Sequence, residues 1–370
     1  MARTTKADTD LDRAHMSAAL GLGRRNLGRT WPNPSVGCVI VKDGRVVGRG
    51  YTQPGGRPHA ETQALVQAGS EARGATAYVT LEPCAHHGKT PPCAEALVAA
   101  GIQRCVIATG DPDPRVAGGG IAILKAAGIE ITEGVLEAEA RESNAGFFTR
   151  IKLGRPLVTL KLATTLDGRI ATLSGESKWI TGPGARAAGH QLRATHDAIM
   201  VGSGTVLADD PELTCRLPGL EDRSPIRIVL DTRLRIPPTA KLLADQDRFP
   251  TWVVTKPGHP ARPEMSNLLH VEGSDSARLR SVLMELGARG LTRVLVEGGA
   301  TLATNLLKED LVDRIAWFQA PFVIGNDGMA GIGELGRGEL DRISRFKLLS
   351  EQRVGPDSVA LYSRPDCGIG

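Results

Sequence analysis

Short apolar runs alternate with helical patterns along the first 150 residues. Residues 36–41 form an apolar run that predicts a buried strand, residues 42–44 form a turn, and residues 46–50 complete a hairpin. The same pattern predicts further strands at residues 77–81 and 105–109. Helices are predicted at residues 12–29, 59–68, 93–100, 121–127 and 137–149. Strands that alternate with helices in this way indicate a layered α/β domain.

A second series of apolar runs begins after Gly154-Arg155-Pro156. Its predicted strands are residues 157–162, 198–201, 226–230, 251–255, 294–297 and 315–318. Helices are predicted between them, notably at residues 184–194 and 276–288. Because single cores stop growing at roughly 250–300 residues, a chain of 370 residues is expected to contain two domains. We predict them at residues 1–150 and 151–370.

The composition is that of an ordinary globular protein, and it argues against several classes. Hydrophobic residues make up 41% of the chain and charged residues 23%. A sequence-tolerant nucleic-acid binder would interleave clustered basic residues with aromatics, whereas here the net charge is +4 and aromatics are 4%. There is no signal-peptide pattern and no apolar run as long as a membrane span. Six cysteines in such a chain indicate reduced thiols, so we expect a cytoplasmic protein without nucleic-acid or membrane partners.

A His-x-Glu segment and two cysteines carry the chemistry of the first half. His59-Ala60-Glu61 is followed 23 residues later by Cys84, which follows Pro83, and then by Cys93. Catalytic zinc takes three protein ligands of these types and leaves its fourth position to water. His59, Cys84 and Cys93 are therefore the predicted zinc ligands, and Glu61 is the predicted proton carrier. The pattern is the signature of zinc deaminases.

The predicted elements place these residues at element ends. Cys84 follows a predicted strand, and Cys93 begins a predicted helix, whose dipole favours a thiolate. Two alternatives stay open, a purely structural zinc site and a site in which His86 or His87 replaces a ligand. Both histidines belong to the loop between the cysteines, which has eight residues where the usual spacing is two.

Three stretches in the first half resemble a known family. PNPSVGCVIV, PHAETQAL and LEPCAHHGKTPPCAEAL are similar to the deaminase half of the bifunctional riboflavin-biosynthesis deaminase/reductase. The resemblance implies a cytidine-deaminase-like α/β/α fold and deamination of a diamino-ribosylamino-pyrimidinone phosphate at ring carbon 2. The substrate contacts that it implies are Asn33, His86, Lys89 and Asp111, with Lys89 suited to phosphate. The family often has histidine where this chain has Thr52.

The second half carries four further segments, KLATTLDGRIAT, SGESKWITG, VGSGTVLADDPELTCR and VEGGATLATNLL. It lacks the Gly-x-Gly-x-x-Gly run of a Rossmann site. From the residues alone, VEGGATLATNLL is either a strand and helix start whose N–H groups suit phosphates or a tight structural turn. Together the four segments resemble the reductase half of the same family. The resemblance implies a dihydrofolate-reductase-like α/β fold, NADPH as cofactor, and reduction of the ribosyl group to ribityl.

The motif match also implies site residues in the second half. The implied cofactor contacts are Ala163, Trp179, Thr205, Asp209 and the turn at residues 299–304, with Gly299, Ala300 and Thr301. The implied substrate contacts are Ser177, Arg193, Leu213, Arg216 and Glu297. Arg193 and Arg216 suit phosphate because a guanidinium group matches phosphate oxygens. Lys161 and Asp167 stand in the same motif without an assigned role.

The favoured hypothesis is an enzyme that performs two successive steps of riboflavin synthesis. It would hold zinc in the first domain and NADPH in the second, act on a phosphorylated pyrimidine, and form a homo-oligomer. An alternative keeps zinc-dependent nucleobase or nucleoside deamination but treats the second half as a degenerate binding or dimerisation domain. A third hypothesis, a structural zinc module that binds RNA, is disfavoured by Glu61 and the low aromatic content.

Overall fold

The computed structural model describes residues 10–88, 91–259, 262–265, 267–272, 275–339 and 343–365. Its contacts divide the chain into two compact units, one up to Leu153 and the other from Gly154 onward. In the described part of the chain, no helix is both long and apolar enough to cross a membrane.

The first unit is built on a five-stranded sheet with the order β2-β1-β3-β4-β5. Its strands are β1 (Gly37–Lys42), β2 (Arg45–Tyr51), β3 (Thr76–Val79), β4 (Arg104–Ile107) and β5 (Glu130–Glu133). Its α-helices are α1 (Asp10–Gly23), α2 (Ala60–Ala68), α3 (Cys93–Ala99), α4 (Gly119–Ala126), α5 (Glu137–Ser143) and α6 (Ala145–Leu153). β1 pairs antiparallel with β2 and β3, whereas β3, β4 and β5 are parallel.

Both faces of this sheet are buried under helices. Cys38 and Ile40 of β1 point to a core that includes Ala64 of α2 and Leu97 of α3. Val39 on the opposite face belongs to a second core with Met16 and Leu20 of α1. Because successive strand residues point to opposite faces, burial on both sides explains why the strand sequence is a continuous apolar run.

Two glycines of β2 allow α2 to lie directly against the sheet. A Cβ atom added to Gly50 would lie 1.9 Å from the carbonyl oxygen of Ala60, and one added to Gly48 would lie 2.2 Å from that of Ala64. Since real Cβ atoms do not approach so closely, a side chain at either position would push the helix outward. The start of α2 carries His59 and Glu61, so this contact positions both.

Three sequence predictions for the first unit need correction. The helix predicted at residues 137–149 is two helices separated at Asn144, whose side-chain oxygen accepts a hydrogen bond from Ser35 N at 2.8 Å. The helix predicted at residues 12–29 ends at Gly23, whose carbonyl accepts the Ser35 hydroxyl at 2.6 Å. Strand β5 was not predicted because its four residues are short, polar and partly exposed.

The second unit contains a nine-stranded sheet with the order β11-β10-β9-β8-β12-β6-β13-β16-β15. Its strands are β6 (Leu157–Thr164), β8 (Ala198–Gly202), β9 (Ile226–Leu230), β10 (Thr251–Thr255), β11 (Asn267–His270), β12 (Arg293–Glu297), β13 (Arg314–Gln319), β15 (Lys347–Val354) and β16 (Asp357–Ser363). A separate antiparallel pair consists of β7 (Arg169–Thr172) and β14 (Gly328–Ala330). The α-helices are α7 (Pro183–Ala194), α8 (Ser203–Asp209), α9 (Lys241–Ala244), α10 (Asp275–Ala288) and α11 (Ala300–Lys308).

The first seven strands in this order, from β11 at the edge to β13, are all parallel to one another. β16 then pairs antiparallel with β13. All six strands predicted for this half are present among the parallel strands. The prediction missed β11, β15 and β16 of this sheet and the separate pair of β7 and β14. β11 and β14 have only four and three residues, and β15 is exposed along most of its length and lacks a buried apolar face. The carboxyl ends of β6, β8 and β12 are neighbours at one edge of the sheet, the edge at which α/β proteins bind ligands.

Candidate active sites

The three predicted metal ligands meet in the first unit. His59 immediately precedes α2, Cys84 follows β3, and Cys93 is the first residue of α3. Their ligand atoms all lie within 4.8 Å of one another. His59 Nδ1 is 3.3 Å from Cys93 Sγ and 3.7 Å from Cys84 Sγ. Zinc–nitrogen bonds of about 2.0 Å and zinc–sulfur bonds of about 2.3 Å at a tetrahedral angle separate N and S by about 3.5 Å, so the cluster fits zinc.

Backbone contacts at the start of α3 hold the two cysteines together. Cys93 N donates a hydrogen bond to Cys84 Sγ at 3.2 Å, and Ala94 N donates one to the carbonyl of Cys84 at 3.2 Å. The hydrogen bond from the Cys93 thiol, together with His59, lowers the pKa of Cys84 to about 4 against the effect of burial. A thiolate at Cys84 is the form that binds metal.

Glu61 lies beside the cluster without belonging to it. It stands in the first turn of α2 and is 4% exposed. Burial raises the pKa of the Glu61 carboxyl, and the charge of His59 opposes that shift. Among the described residues, the metal-binding group is formed by His59, Cys84 and Cys93. A buried carboxyl beside a metal site can hold and release a proton.

The described residues of the loop between the cysteines supply no further ligand to this group. His87 Nε2 lies 3.1 Å from Glu95 Oε1 at the surface. His86 lines the cavity above the cluster, and its Nδ1 atom is buried without a hydrogen-bond partner among the described residues. Lys89, the predicted phosphate contact, lies outside the described residues.

A cavity of about 340 Å³ opens over the cluster and contains the remaining predicted substrate residues. Asn33 Nδ2 donates to the carbonyl of Gly56 at 2.9 Å, which fixes its amide group at the cavity wall. Asp111 Oδ1 accepts a hydrogen bond from Asp113 N at 2.8 Å. Burial raises the pKa of Asp111 to about 7, so this carboxyl can be protonated near neutral pH.

Thr52 also lines this cavity, but its hydroxyl is hydrogen-bonded to the backbone before β1. It accepts a hydrogen bond from Val36 N at 3.0 Å, and the side chain is 2% exposed. Thr52 therefore anchors the chain before β1 and offers the cavity no equivalent of a histidine ring.

Glu82 is a site residue that the sequence reasoning missed. Its carboxylate is 4% exposed and lines the cavity next to Cys84. Oε1 accepts the backbone N–H groups of Gly120 at 3.0 Å and Ile121 at 3.2 Å, and Oε2 accepts that of Gly118 at 3.0 Å. Oε2 also lies 3.4 Å from Asp111 N. Glu82 thereby ties the segment that carries Asp111 to the strand end that carries Cys84.

The second unit has its own cavity, of about 710 Å³. It is lined by most of the residues that the motif match implied for this half. These are Ser177, Trp179, Arg193, Thr205, Asp209, Leu213, Arg216 and Glu297. They come from the end of β12, from α7 and α8, and from the segments that follow β7 and α8.

Glu297, the last residue of β12, is held by two cations. Arg193 donates from Nε to Oε1 at 2.8 Å and from Nη2 to Oε2 at 2.9 Å, and Lys161 Nζ lies 3.8 Å from Oε2. Burial alone would raise the pKa of Glu297, but Arg193 and Lys161 outweigh it and lower the pKa to about 2. Lys161, to which the sequence gave no role, is thus one of the two cations beside Glu297.

Arg193, whose predicted phosphate contact stays a prediction, also contacts the backbone of the segment after α8. Its third nitrogen, Nη1, donates to the carbonyl of Thr214 at 2.9 Å, so all three nitrogens face protein acceptors. Arg216 is 53% exposed and lies 3.4 Å from Glu212. Of the two arginines, Arg216 is the one whose guanidinium group is open to solvent at this cavity.

The other predicted cofactor residues lie outside the lining of this cavity. Ala163 packs near Phe318. Gly299 precedes α11, and Ala300 and Thr301 form its first turn, so residues 300–304 are helical rather than a turn. A Cβ atom at Gly299 would meet nothing within 4 Å, so the start of this helix is open to a phosphate group.

Asp167 does not line the cavity of the second unit, and its carboxylate is bonded within the protein. Its carboxylate accepts the N–H group of Gly325 at 2.7 Å and the Thr165 hydroxyl at 2.5 Å. The Thr165 hydroxyl is the leading cause that lowers the pKa of Asp167 to about 2. This residue fixes the segment between β6 and β7.

Two family models match the chain, one in each unit. Residues 9–109 match the cytidine and deoxycytidylate deaminase zinc-binding region, and residues 156–360 match the RibD C-terminal domain. The riboflavin biosynthesis protein RibD of Aquifex aeolicus is 43% identical over 359 residues, with 96% of this chain and 99% of that protein covered. The protein of the same name from Escherichia coli is 44% identical, with 94% of this chain and 97% of that protein covered.

Solved structures similar to the chain cover both units. RibD of Acinetobacter baumannii superimposes with a TM-score of 0.87 at 41% identity, with 96% of this chain and 99% of that chain covered. A diaminohydroxyphosphoribosylaminopyrimidine deaminase/5-amino-6-(5-phosphoribosylamino)uracil reductase from Thermotoga maritima gives a TM-score of 0.86 at 35% identity, with the same coverage of 96% and 99%.

Proposed function

The chain belongs to the RibD family of bifunctional riboflavin-biosynthesis enzymes, and on that premise we propose which residues perform its two reactions. It is a deaminase and a reductase, and the predicted order of a cytidine-deaminase-like α/β domain followed by an α/β reductase domain is confirmed. The alternative of a degenerate second half is not favoured, since the reductase family model spans residues 156–360.

The observation that carries the proposal for the first unit is the cluster of His59, Cys84 and Cys93 beside buried Glu61. These three residues would hold the zinc ion of the deaminase region. When bound there, zinc supplies Lewis-acid activation of water at neutral pH. The proposed substrate is 2,5-diamino-6-ribosylamino-4(3H)-pyrimidinone 5′-phosphate, by the resemblance of the chain to its family.

Glu61 moves the protons of this reaction. Its carboxylate takes one proton from the attacking water and delivers it to the ring nitrogen beside the attacked carbon. It then passes the second proton to the exocyclic amine, so that ammonia leaves and a ring carbonyl remains. Burial suits Glu61 to this role, because a raised pKa brings proton uptake and release closer together in energy.

Three cavity residues orient the pyrimidine. The amide of Asn33 is fixed by Gly56 and can pair with the polar edge of the ring. His86, whose Nδ1 atom has no partner among the described residues, and the carboxyl of Asp111 line the same cavity and can bond the substrate. Lys89 keeps its proposed role at the phosphate.

The second unit is proposed to reduce the deaminated product with NADPH, which when bound would supply a hydride to the first ribose carbon, while a proton from water completes the reduction. Glu297 offers a carboxylate, kept ionised by Arg193 and Lys161, to the ribose hydroxyls. Arg216 is placed to bind the phosphate at the open side of the cavity. Ser177 and Leu213 complete the substrate side.

The cofactor side of the second unit is assigned by the motif match. Trp179, Thr205 and Asp209 line the cavity. Ala163 and the helix start at Gly299, Ala300 and Thr301 lie at the carboxyl ends of β6 and β12, which are adjacent strands. An open helix start suits the phosphates of a dinucleotide. The choice of NADPH over NADH, a homo-oligomeric state and a cytoplasmic location stay predictions.

Zinc analysis of a ligand variant tests the metal assignment. Cys84→Ser removes one of three ligands, so we expect the zinc content of the purified chain to fall well below one ion per chain and deamination to be lost. Cys38→Ser is the matched control, because Cys38 is a buried cysteine of β1 outside the metal-binding group. Full zinc content in Cys84→Ser would remove Cys84 from the ligand set.

A further inference from the structure

One histidine of the second unit lines the reductase cavity and has no role in the chemistry described above. His190 lies on α7, three residues before Arg193, so the two side chains share one face of the helix. His190 is half-buried and contributes to the wall of the cavity of about 710 Å³. No motif in the sequence singled it out.

The segment that follows α8 carries two of the proposed substrate contacts. Residues 210–216 include Leu213 and Arg216, and in the part of the chain that the structure describes they join no helix or strand. Asp210, with a φ of 41°, and Leu213, with a φ of 58°, lie in the left-handed region that residues other than glycine rarely adopt. Such a backbone keeps its shape only where neighbouring elements hold it.

Helix α7 contacts three consecutive residues of this segment. Arg193 Nη1 donates to the carbonyl of Thr214 at 2.9 Å. The thiol of Cys215 donates to the carbonyl of His190 at 3.5 Å. Arg216 N donates to Nδ1 of His190 at 3.3 Å. The ring of His190 therefore bonds the backbone of the residue whose guanidinium group is open to solvent at the cavity.

The ring of His190 can accept this bond because it is neutral. Burial, followed by the charges of Arg193 and Arg216, lowers the pKa of His190 to about 4. A neutral imidazole has one acceptor nitrogen, and since Nδ1 accepts here, the ring proton is assigned to Nε2. A protonated ring would carry N–H groups on both nitrogens and would set a donor against the Arg216 amide.

The side chain of Arg216 depends on this backbone contact for its position. Its Nη1 atom lies 3.4 Å from Glu212 Oε2 and 3.5 Å from Thr214 Oγ1, and both partners belong to the same segment. These partners move with the segment, so they do not by themselves fix it relative to the cavity. His190 belongs to a regular helix of 12 residues, and its ring joins the segment to that helix.

We propose that His190 is a positioning residue of the reductase, which holds Leu213 and Arg216 at the substrate side of the cavity through its bond to the Arg216 backbone. In this role His190 makes no contact with the reacting atoms, and it sets the place of the substrate-binding side chains before the substrate arrives. This inference rests on the proposed reductase function of the second unit. It adds to that function a residue that determines substrate affinity rather than the hydride step.

Two substitutions separate the hydrogen bond of His190 from the bulk of its ring. His190→Leu keeps a side chain of similar size and removes the acceptor. His190→Asn restores the acceptor, because the amide oxygen of asparagine is attached to the γ carbon, as Nδ1 of histidine is. Asparagine and histidine also have nearly equal helix propensities, so α7 should be equally stable in this variant.

The assay follows NADPH oxidation by the full chain with the deaminated substrate. His190→Leu should raise the KM for this substrate about tenfold and leave kcat within about twofold, because one hydrogen bond contributes up to about that factor and here serves binding alone. The KM for NADPH should change less than about twofold, since Trp179 and Thr205 lie outside residues 210–216. His190→Asn should return the substrate KM to within about twofold of the wild-type value.

A surface histidine provides the matched control. His270→Leu changes an exposed histidine of β11 that does not line the cavity, so both KM values should stay at the wild-type level. Hydrogen exchange gives a reading that does not depend on activity. A peptide that covers residues 211–217 should exchange faster in His190→Leu than in the wild type, and His190→Asn should restore the slower rate.

The outcomes separate the positioning role from the function it rests on. A wild-type substrate KM in His190→Leu overturns the role, and so does a raised KM that His190→Asn fails to restore, since ring packing would then be the cause. An equal loss in kcat or an equal rise in the KM for NADPH also overturns it, because the whole cavity would then be damaged. A wild type that does not oxidise NADPH with the deaminated substrate overturns the reductase function and the positioning role together.

Discussion

Replacing Glu82 by glutamine should loosen the wall of the deaminase cavity. The change keeps the shape of the side chain but turns one carboxylate oxygen into an NH₂ group. Whichever way the amide is turned, the NH₂ group faces backbone N–H donors, either Gly120 and Ile121 or Gly118 and Asp111. The two hydrogen bonds that the replaced oxygen accepted are lost, and the new NH₂ group faces two backbone N–H groups that are also donors.

The magnitude follows from the number of contacts. Hydrogen bonds to a charged group contribute about 1.5–3 kcal/mol each, so losing two should cost about 3–6 kcal/mol locally. The segment cannot relax inward, since a Cβ atom at Gly120 would already lie 1.9 Å from the carbonyl of Pro83. The cost should therefore appear as opening of residues 110–121.

Hydrogen exchange followed by mass spectrometry measures this opening directly. Amides of residues 110–121 should exchange about 10²–10⁴ times faster in Glu82→Gln than in the wild type, because 1.4 kcal/mol corresponds to a factor of ten. Deaminase kcat/KM should fall with it, since Asp111 and Asp113 lose their support. Reduction of the deaminated product takes place in the other unit and should persist.

A surface carboxylate gives the control. Glu71→Gln changes a side chain that is 49% exposed and paired with Arg45, so exchange in residues 110–121 should stay at the wild-type rate. Wild-type exchange in Glu82→Gln would refute the reasoning that this carboxylate holds the segment in place.

Two further predictions concern the second unit. Arg193→Met leaves Glu297 buried with Lys161 as its remaining cation. NADPH-dependent reduction should therefore fall at least tenfold, and the free energy of unfolding of this unit in urea should fall by about 3–5 kcal/mol. Unchanged reduction would contradict the role given to the contact between Arg193 and Glu297. His196 is 4% exposed, and burial, helped by Arg293, lowers its pKa to about 3. The unfolded chain binds a proton below about pH 6.5 that the folded chain rejects, so stability should fall as pH drops from 7.5 to 5. In His196→Asn the pH dependence of the melting temperature should flatten, and an identical slope would exclude His196 as its source.

The strands that the sequence predicted correctly include those in which nearly every residue is buried. The continuous apolar runs of β1, β9 and β10 are buried on both faces, so their positions are legible from composition alone. β15 carries mostly exposed residues, and its place depends on pairing with β16. Nothing local in its sequence could reveal that partner.

In the candidate sites too, residues of local motifs could be predicted, whereas contacts between residues far apart in the sequence could not. His59, Glu61 and the cysteines could be named because catalytic zinc demands these residue types and the His-x-Glu and Pro-Cys segments are local in the sequence. The contacts of Glu82 reach 29 to 39 residues along the chain, and Arg193 meets Glu297 across 104 residues. Such partnerships are set by the sheet topology, so the sequence alone could not show that Arg193 and Lys161 meet at Glu297.

The most direct test of the account is a coupled assay on the Glu61→Gln variant of the full chain. With the diamino substrate, the wild type should release one ammonia and oxidise one NADPH per molecule, whereas Glu61→Gln should do neither at more than about 10⁻² of the wild-type rate. With the deaminated substrate, Glu61→Gln should oxidise NADPH at the wild-type rate. Wild-type ammonia release by Glu61→Gln with zinc bound would contradict the proton role of Glu61. Failure of the wild type to oxidise NADPH with the deaminated substrate would contradict the assignment of NADPH-dependent reduction to the second unit.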